Sequence, residues 1–202
     1  MKPCLIPLAS LTLVSLARAD VVPPALFTVP EGLEVTLWAT SPLLHNPTNI
    51  DFDAQGRLYV AEGVNYRGHG GRRLEGDRIV ILEDTTGQGV ADRSTVFLQE
   101  TGLAAPLGVA VDATGRVYVA DTYHDRIRVI EPDGTVRTAA GGEHPGNVDG
   151  FGAESRLDTP VALALDSHGN LLIADLYNNA IRRLSPDGML RTQVADGSVM
   201  SG

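Results

Sequence analysis

Asn46–Glu62 reads NPTNIDFDAQGRLYVAE, Ala105–Asp121 reads APLGVAVDATGRVYVAD and Thr159–Asp175 reads TPVALALDSHGNLLIAD, and the three segments align without a gap. Counted from the prolines Pro47, Pro106 and Pro160, an aspartate falls six places on (Asp53, Asp112, Asp166) and a glycine nine places on (Gly56, Gly115, Gly169). A carboxylate falls fifteen places on, as Glu62, Asp121 and Asp175. Each segment has the pattern of a β-hairpin. Gly108-Val109-Ala110-Val111 alternates, a D-x-x-G turn follows, and Val117-Tyr118-Val119-Ala120 alternates again. The turn glycine supplies the positive φ that such a reversal needs.

Outward from these hairpins, two more strands are predicted in the second unit, over 126–131 and 135–140, and two in the third, over 180–185 and 189–194. P-D-G turns join them at Pro132-Asp133-Gly134 and Pro186-Asp187-Gly188. Four short antiparallel strands recurring every 54 to 59 residues indicate an all-β chain built of β-propeller blades. About three blades are expected, over 46–100, 105–157 and 159–202. Two inserts, Gly63–Asp77 and Gly141–Leu157, stretch the repeat beyond the usual length. A β-sandwich of hairpins accounts for the alternation but not for the gapless repeat. Six blades of about 40 residues need about 240, so an incomplete or open propeller is expected: a fragment, or a chain assembled with further blades.

Residues 1–19 have the form of a signal peptide. Lys2 gives a positive start, the thirteen residues Cys4–Leu16 are largely apolar, and Ala17-Arg18-Ala19 offers a small-x-small cleavage site. The apolar run is shorter than the roughly 20 residues of a membrane-spanning helix. An exported chain of residues 20–202, periplasmic or extracellular and with no membrane span after signal cleavage, is therefore expected. Cleavage removes the only cysteine and the only lysine, which excludes disulfides, thiol catalysis, cysteine-ligated zinc and Schiff-base chemistry. Fourteen arginines then face twenty-five carboxylates, a net charge of −11, and such a chain repels nucleic acid.

From Ala105 onward, PLGVAVDATGRVYVADTYHDRIRVIEPDGTVRTAAGG and DGFGAESRLDTPVALALDSHGNLLIADLYNNAIRRLSPDG resemble NHL repeats over residues 105–196. That resemblance implies a blade type that closes into six-bladed propellers. Phe27–Glu100 resembles the propeller start of PVC-type, haem-binding, dehydrogenase-like secreted proteins, which in turn resemble pyrroloquinoline-quinone (PQQ) sugar dehydrogenases. That likeness implies an alternative, a fragment of a quinoprotein-like sugar or alcohol dehydrogenase using PQQ and calcium. A c-type haem is excluded in this chain, because no cysteine follows Cys4. The stretch Glu83–Gly89 with Asp92 resembles a calcium loop, but Thr86 and Gln88 stand where anionic ligands are needed. Lactonases of similar shape place metal-binding Asn or Asp directly after the proline; here Thr48, Leu107 and Val161 stand there, which ranks a lactonase-like hydrolase third. No G-x-S-x-G elbow is present, no metal site is assigned, and whether the chain is an enzyme stays open at this level.

The repeating carboxylates Glu62, Asp121 and Asp175 should lie on one face. They suit a ring around a cation or polyol, but recurrence in every blade favours a structural role in the turns. His124 takes the place of Asn178 and is read as a turn residue. The least repeat-like stretch is Asn65–Arg73, where Arg67, His69, Arg72 and Arg73 have the chemistry to grip a carboxylate or to serve as acid-base groups; a solvated loop is the competing reading. His45 and Asn49 flank the innermost strand and are candidates to face a central channel. The leading expectation is a binding module for a protein, peptide or carbohydrate through the face carrying the Arg67–Arg73 loop.

Overall fold

A computed structural model describes residues 23–66, 73–195 and 198–199. The expected leader over 1–19 and the candidate residues Arg67, His69 and Arg72 lie outside the described residues. The chain divides into two compact units, Met1–Leu37 and Trp38–Gly202. In the first, the described residues hold one 3-10 turn, Pro24–Leu26, with no buried residue.

The second unit contains three antiparallel sheets, each a meander in sequence order. Sheet 1 is β1 (Pro47–Phe52), β2 (Leu58–Glu62), β3 (Arg78–Glu83) and β4 (Arg93–Gln99). Sheet 2 is β5 (Pro106–Val111), β6 (Val117–Asp121), β7 (Arg126–Ile130) and β8 (Val136–Gly141). After β9 (Gly150–Phe151), sheet 3 is β10 (Pro160–Leu165), β11 (Leu171–Asp175), β12 (Ala180–Leu184), β13 (Met189–Ala195) and β14 (Ser198–Val199). Sheets 1 and 2 are four-stranded blades as expected, and sheet 3 adds β14 and β9 to the four strands β10 to β13. One difference concerns the second insert: β9 lies within 105–157 yet pairs with β13 of sheet 3, Phe151 opposite Met189. The outer strand β13 has a free edge there, and β9 covers it.

Local chemistry explains the hairpins. In each D-x-x-G turn one aspartate oxygen accepts two backbone N–H groups: Asp53 from Gln55 and Arg57, Asp112 from Thr114 and Arg116, and Asp166 from His168 and Asn170. The turn glycines Gly56, Gly115 and Gly169 have φ of 78°, 86° and 79°, a region closed to most L residues.

Strand alternation then sorts the core. In β2, Tyr59 and Ala61 face sheet 2, where they join Ile79 and Ile81 against Val109, Val111, Val117, Val119 and Ile130. The other face of sheet 1, with Leu58, Val60, Val80 and Leu82, packs against Trp38, Ala39, Leu43 and Leu44. Between sheets 2 and 3, Ala110, Ala120, Ile127 and Val129 meet Leu171, Ile173, Leu184 and Leu190. Each such aliphatic side chain contributes about 1.5–3 kcal/mol when fully buried, so the seams between blades carry the core.

Candidate functional site

The three repeat carboxylates end β2, β6 and β11 at the same end of the blades. Glu62 and Asp121 are 0% exposed and Asp175 is 1% exposed. Each accepts the backbone N–H two residues before its blade's proline: His45 to Glu62 at 2.7 Å, Ala104 to Asp121 at 2.9 Å and Asp158 to Asp175 at 2.7 Å. Each also meets an arginine: Arg78 and Arg126 stand directly opposite Glu62 and Asp121 at the start of β3 and β7, whereas Ala180 stands opposite Asp175 and its arginine, Arg182, comes from two residues further along β12. Glu62 takes Arg78 at 2.6 Å and Arg73 at 3.0 Å. Asp121 takes Arg126 at 2.8 Å and the His124 ring at 2.9 Å. Asp175 takes the fully buried Arg182 at 2.8 Å and the Asn178 amide at 2.8 Å. Burial pushes the Glu62 carboxyl up, but hydrogen bonds from Arg78, the His45 N–H and Arg73 outweigh it and hold the group below its ordinary value. With their oxygens committed to donors, these carboxylates tie the loops that enter and leave each blade. Among the described residues no group of three or more His, Cys, Asp or Glu side chains is placed to hold a metal.

The remaining candidates divide. His45 contributes its backbone N–H to Glu62, and the Asn49 side chain accepts the N–H of Val109 in the next blade at 3.3 Å. The Arg73 guanidinium folds back onto Glu62, and its side chain is 14% exposed. Asn65 clamps the root of the insert: its N–H donates to Asp77 at 3.0 Å, its amide donates to the Arg73 carbonyl at 3.1 Å, and the Arg73 N–H donates back to its oxygen at 3.2 Å.

Three tyrosines on the face of the repeat carboxylates were not picked out by the sequence pattern. Tyr66, Tyr123 and Tyr177 each follow the blade carboxylate on the loop between second and third strands. Tyr66 and Tyr123 pack as a tilted ring pair with centroids 5.8 Å apart, while Tyr123 is 48% and Tyr177 70% exposed, beside Leu176 at 50%. The signal was the spacing Asp-x-Tyr in two successive blades. On the same face a cleft of about 380 Å³ is lined by Arg126, Thr138, Glu143, His144 and Arg156. A second cleft, of about 370 Å³, lies at the opposite end of the first seam, lined by Arg57, Tyr59, Phe97, Asp112 and Pro132.

Residues 25–122 match a family model described as a domain of unknown function, DUF7133. NHL repeat-containing protein 2 of Homo sapiens is 30% identical over 162 residues, covering 76% of this chain and 21% of that protein. The Bos taurus protein of the same name is 27% identical over 174 residues, covering 82% of this chain and 22% of that protein. Its homologues are NHL repeat-containing proteins. The chain spans about a fifth of the length of these relatives. Among solved structures, an auxiliary nutrient binding protein from Bacteroides thetaiotaomicron superposes with a TM-score of 0.56 at 18% identity, over 76% of this chain and 37% of that one. A chain of the nidogen/laminin complex gives 0.54 at 21% identity, over 78% of this chain and 53% of that one. These likenesses establish the β-propeller fold.

Proposed function

We propose that this NHL-type propeller segment belongs to an exported protein and binds a protein partner through the face that carries Tyr66, Tyr123 and Tyr177. The observation that carries the reading is the delivery of one tyrosine per blade to the same face, two of them well exposed. Tyrosine buries a large area with little loss of side-chain freedom and keeps a polar tip for hydrogen bonding, which is why it concentrates at binding surfaces. Asn65 and Arg73, hydrogen-bonded to each other, stand at the two ends of the arginine-rich segment that follows Tyr66 in the sequence. Two solved chains of this fold, one in a nidogen/laminin complex and one a nutrient binding protein, support binding as its use. Export rests on the leader pattern of residues 1–19.

A peptide display library and a glycan array, probed with the folded chain, test the binding reading. Peptide hits are expected to lose roughly tenfold or more in affinity with the double variant Tyr123→Ala, Tyr177→Ala. Hits unaffected by it, or hits confined to glycans, would overturn the protein-binding proposal. Mass spectrometry of exported material should find Asp20 at the N-terminus.

A further inference from the structure

The second insert, Gly141–Leu157, forms a platform tied by its own hydrogen bonds. Val148 and Arg156 pair across it in an antiparallel bridge, the Arg156 N–H donating to the Val148 carbonyl at 2.9 Å and the Val148 N–H donating back at 3.3 Å. Ser155 is 0% exposed; its hydroxyl accepts the Gly141 N–H at 2.9 Å and donates to the Gly152 carbonyl at 2.6 Å. The Arg156 side chain lies over Gly142 and Gly146. A Cβ on Gly142 would overlap the guanidinium, and one on Gly146 would stand 3.1 Å from Arg156 Cβ. These two glycines make room for one arginine.

That arginine is held with one edge spare. Its Nη1 donates to the carbonyls of Ala153 and Ser155, while its Nε and Nη2 make no hydrogen bond among the described residues. It has no carboxylate partner there either, unlike Arg57, Arg78, Arg116, Arg126 and Arg137. Two neighbouring guanidinium N–H groups on one edge are the fork that clasps a carboxylate through parallel bonds. Arg156 lines the cleft of about 380 Å³ together with Arg126, Thr138 and His144, a volume in the range of small-ligand sites. Arg126 uses Nε on Asp121 and Nη2 on the Gly102 carbonyl, and its Nη1 bonds nothing among the described residues. Among the described lining residues the one carboxylate is the exposed Glu143.

The neighbouring sheet shows what such a corner holds. Thr192 of β13 stands opposite Arg182, as Thr138 of β8 stands opposite Arg128. In sheet 3 a carboxylate fills the corner: Asp149 accepts the Thr192 hydroxyl at 3.0 Å and Arg182 at 2.8 Å. In sheet 2 Arg128 meets Glu100 at 3.3 Å, but the Thr138 hydroxyl has no partner among the described residues and Thr138 lines the cleft instead. We propose that this cleft is a binding site for a carboxylate, clasped by Nε and Nη2 of Arg156, with Arg126 and the Thr138 hydroxyl as further donors. A small free dicarboxylic acid and a glutamate side chain in a peptide both present that group. The site shares no residue with the tyrosine row.

Nuclear magnetic resonance on the isotope-labelled full chain tests this, following the Arg156 Nε–H and the backbone N–H signals of Glu143 and His144. The probes are glutarate, an end-capped Gly-Glu-Gly peptide, its Gly-Gln-Gly counterpart and sulfate. Saturable movement is expected with at least one of glutarate and the glutamate peptide, and the tighter of the two names the source of the carboxylate. Arg156→Lys keeps the charge but loses the fork, and should weaken binding roughly tenfold or more. Gly142→Ala, which displaces the guanidinium without removing it, should do the same, and Thr138→Val should cost roughly fivefold. Circular dichroism establishes that each variant is folded; Thr138→Val, which leaves the insert intact, carries the test if an insert variant is not. No saturable movement with either carboxylate, equal movement with the glutamine peptide, equal affinity for sulfate, or an affinity untouched by these substitutions would each overturn the proposal.

Discussion

Asp125 reaches from the second sheet to the third and accepts the backbone N–H of Thr159 at 2.8 Å. Thr159 has φ 57°, a strained conformation for a β-branched residue that persists only where its surroundings hold it. Removing the acceptor leaves that N–H unpaired at the seam. Asp125→Ala should therefore lower unfolding stability by about 1–3 kcal/mol, whereas Asp125→Asn, which keeps an oxygen there, should cost less than about 1 kcal/mol. Urea denaturation followed by circular dichroism separates the two; equal effects would refute the latch.

Glu62 should make the first blade sensitive to acid. Its folded pKa lies below the ordinary glutamate value because Arg78, the His45 N–H and Arg73 bond the ionised form more strongly than burial opposes it. The stability it contributes is then fully present above about pH 4.3, the unfolded value, and is lost as pH falls through the lower folded value. Glu62→Gln should flatten the acid limb of the stability–pH curve. At neutral pH it should cost about 3 kcal/mol or more, since it strips two mostly buried arginines of their counter-charge. An unchanged acid limb would contradict the assignment.

Gly108 sets how closely the innermost strands approach. A Cβ built there would lie 3.1 Å from Leu163 Cγ and 3.2 Å from both Ala120 Cβ and Ala162 Cα. The last of these is backbone and cannot step aside. Gly108→Val should destabilise by about 1–3 kcal/mol through overpacking, read as a lower denaturation midpoint. Gly115→Ala is a different case, because its Cβ meets only Pro132 at 3.9 Å and its penalty comes from φ 86° instead.

The calcium-like stretch should ignore calcium. Asp84 accepts the N–H groups of Thr86, Gly87 and Gln88 on one oxygen and that of Gly89 on the other, and these bonds hold its carboxyl below the ordinary value. Asp92 is bonded to Thr85 in the same turn. Scanning fluorimetry with calcium or with a chelator should show one melting temperature; a saturable rise abolished by Asp84→Asn would show a working site.

The hairpins were legible because their causes are local. An aspartate, a glycine three residues later and alternating strands are satisfied within a few residues, so Asp112 with Gly115 announces a turn wherever it occurs. The candidate site was less so. Asn49 reads as a channel residue from its place on the innermost strand, yet its side chain accepts an N–H from a residue 60 positions away. Tyr123 and Tyr177 carry no pattern that separates a displayed ring from a packed one, and their exposure emerged only once the loops were placed.

From the amino-acid order alone come the three repeats, the strand alternation, the turns and the acidic charge, all of which depend on neighbours along the chain. Only the packed sheets assign a different arginine to each repeat carboxylate, Arg78 to Glu62, Arg126 to Asp121 and Arg182 to Asp175. Only packing, too, leaves Ile181 exposed where its equivalent Ile127 is buried. The reason is physical: a side chain's hydrophobicity is its own, but its burial belongs to whatever lies across the seam.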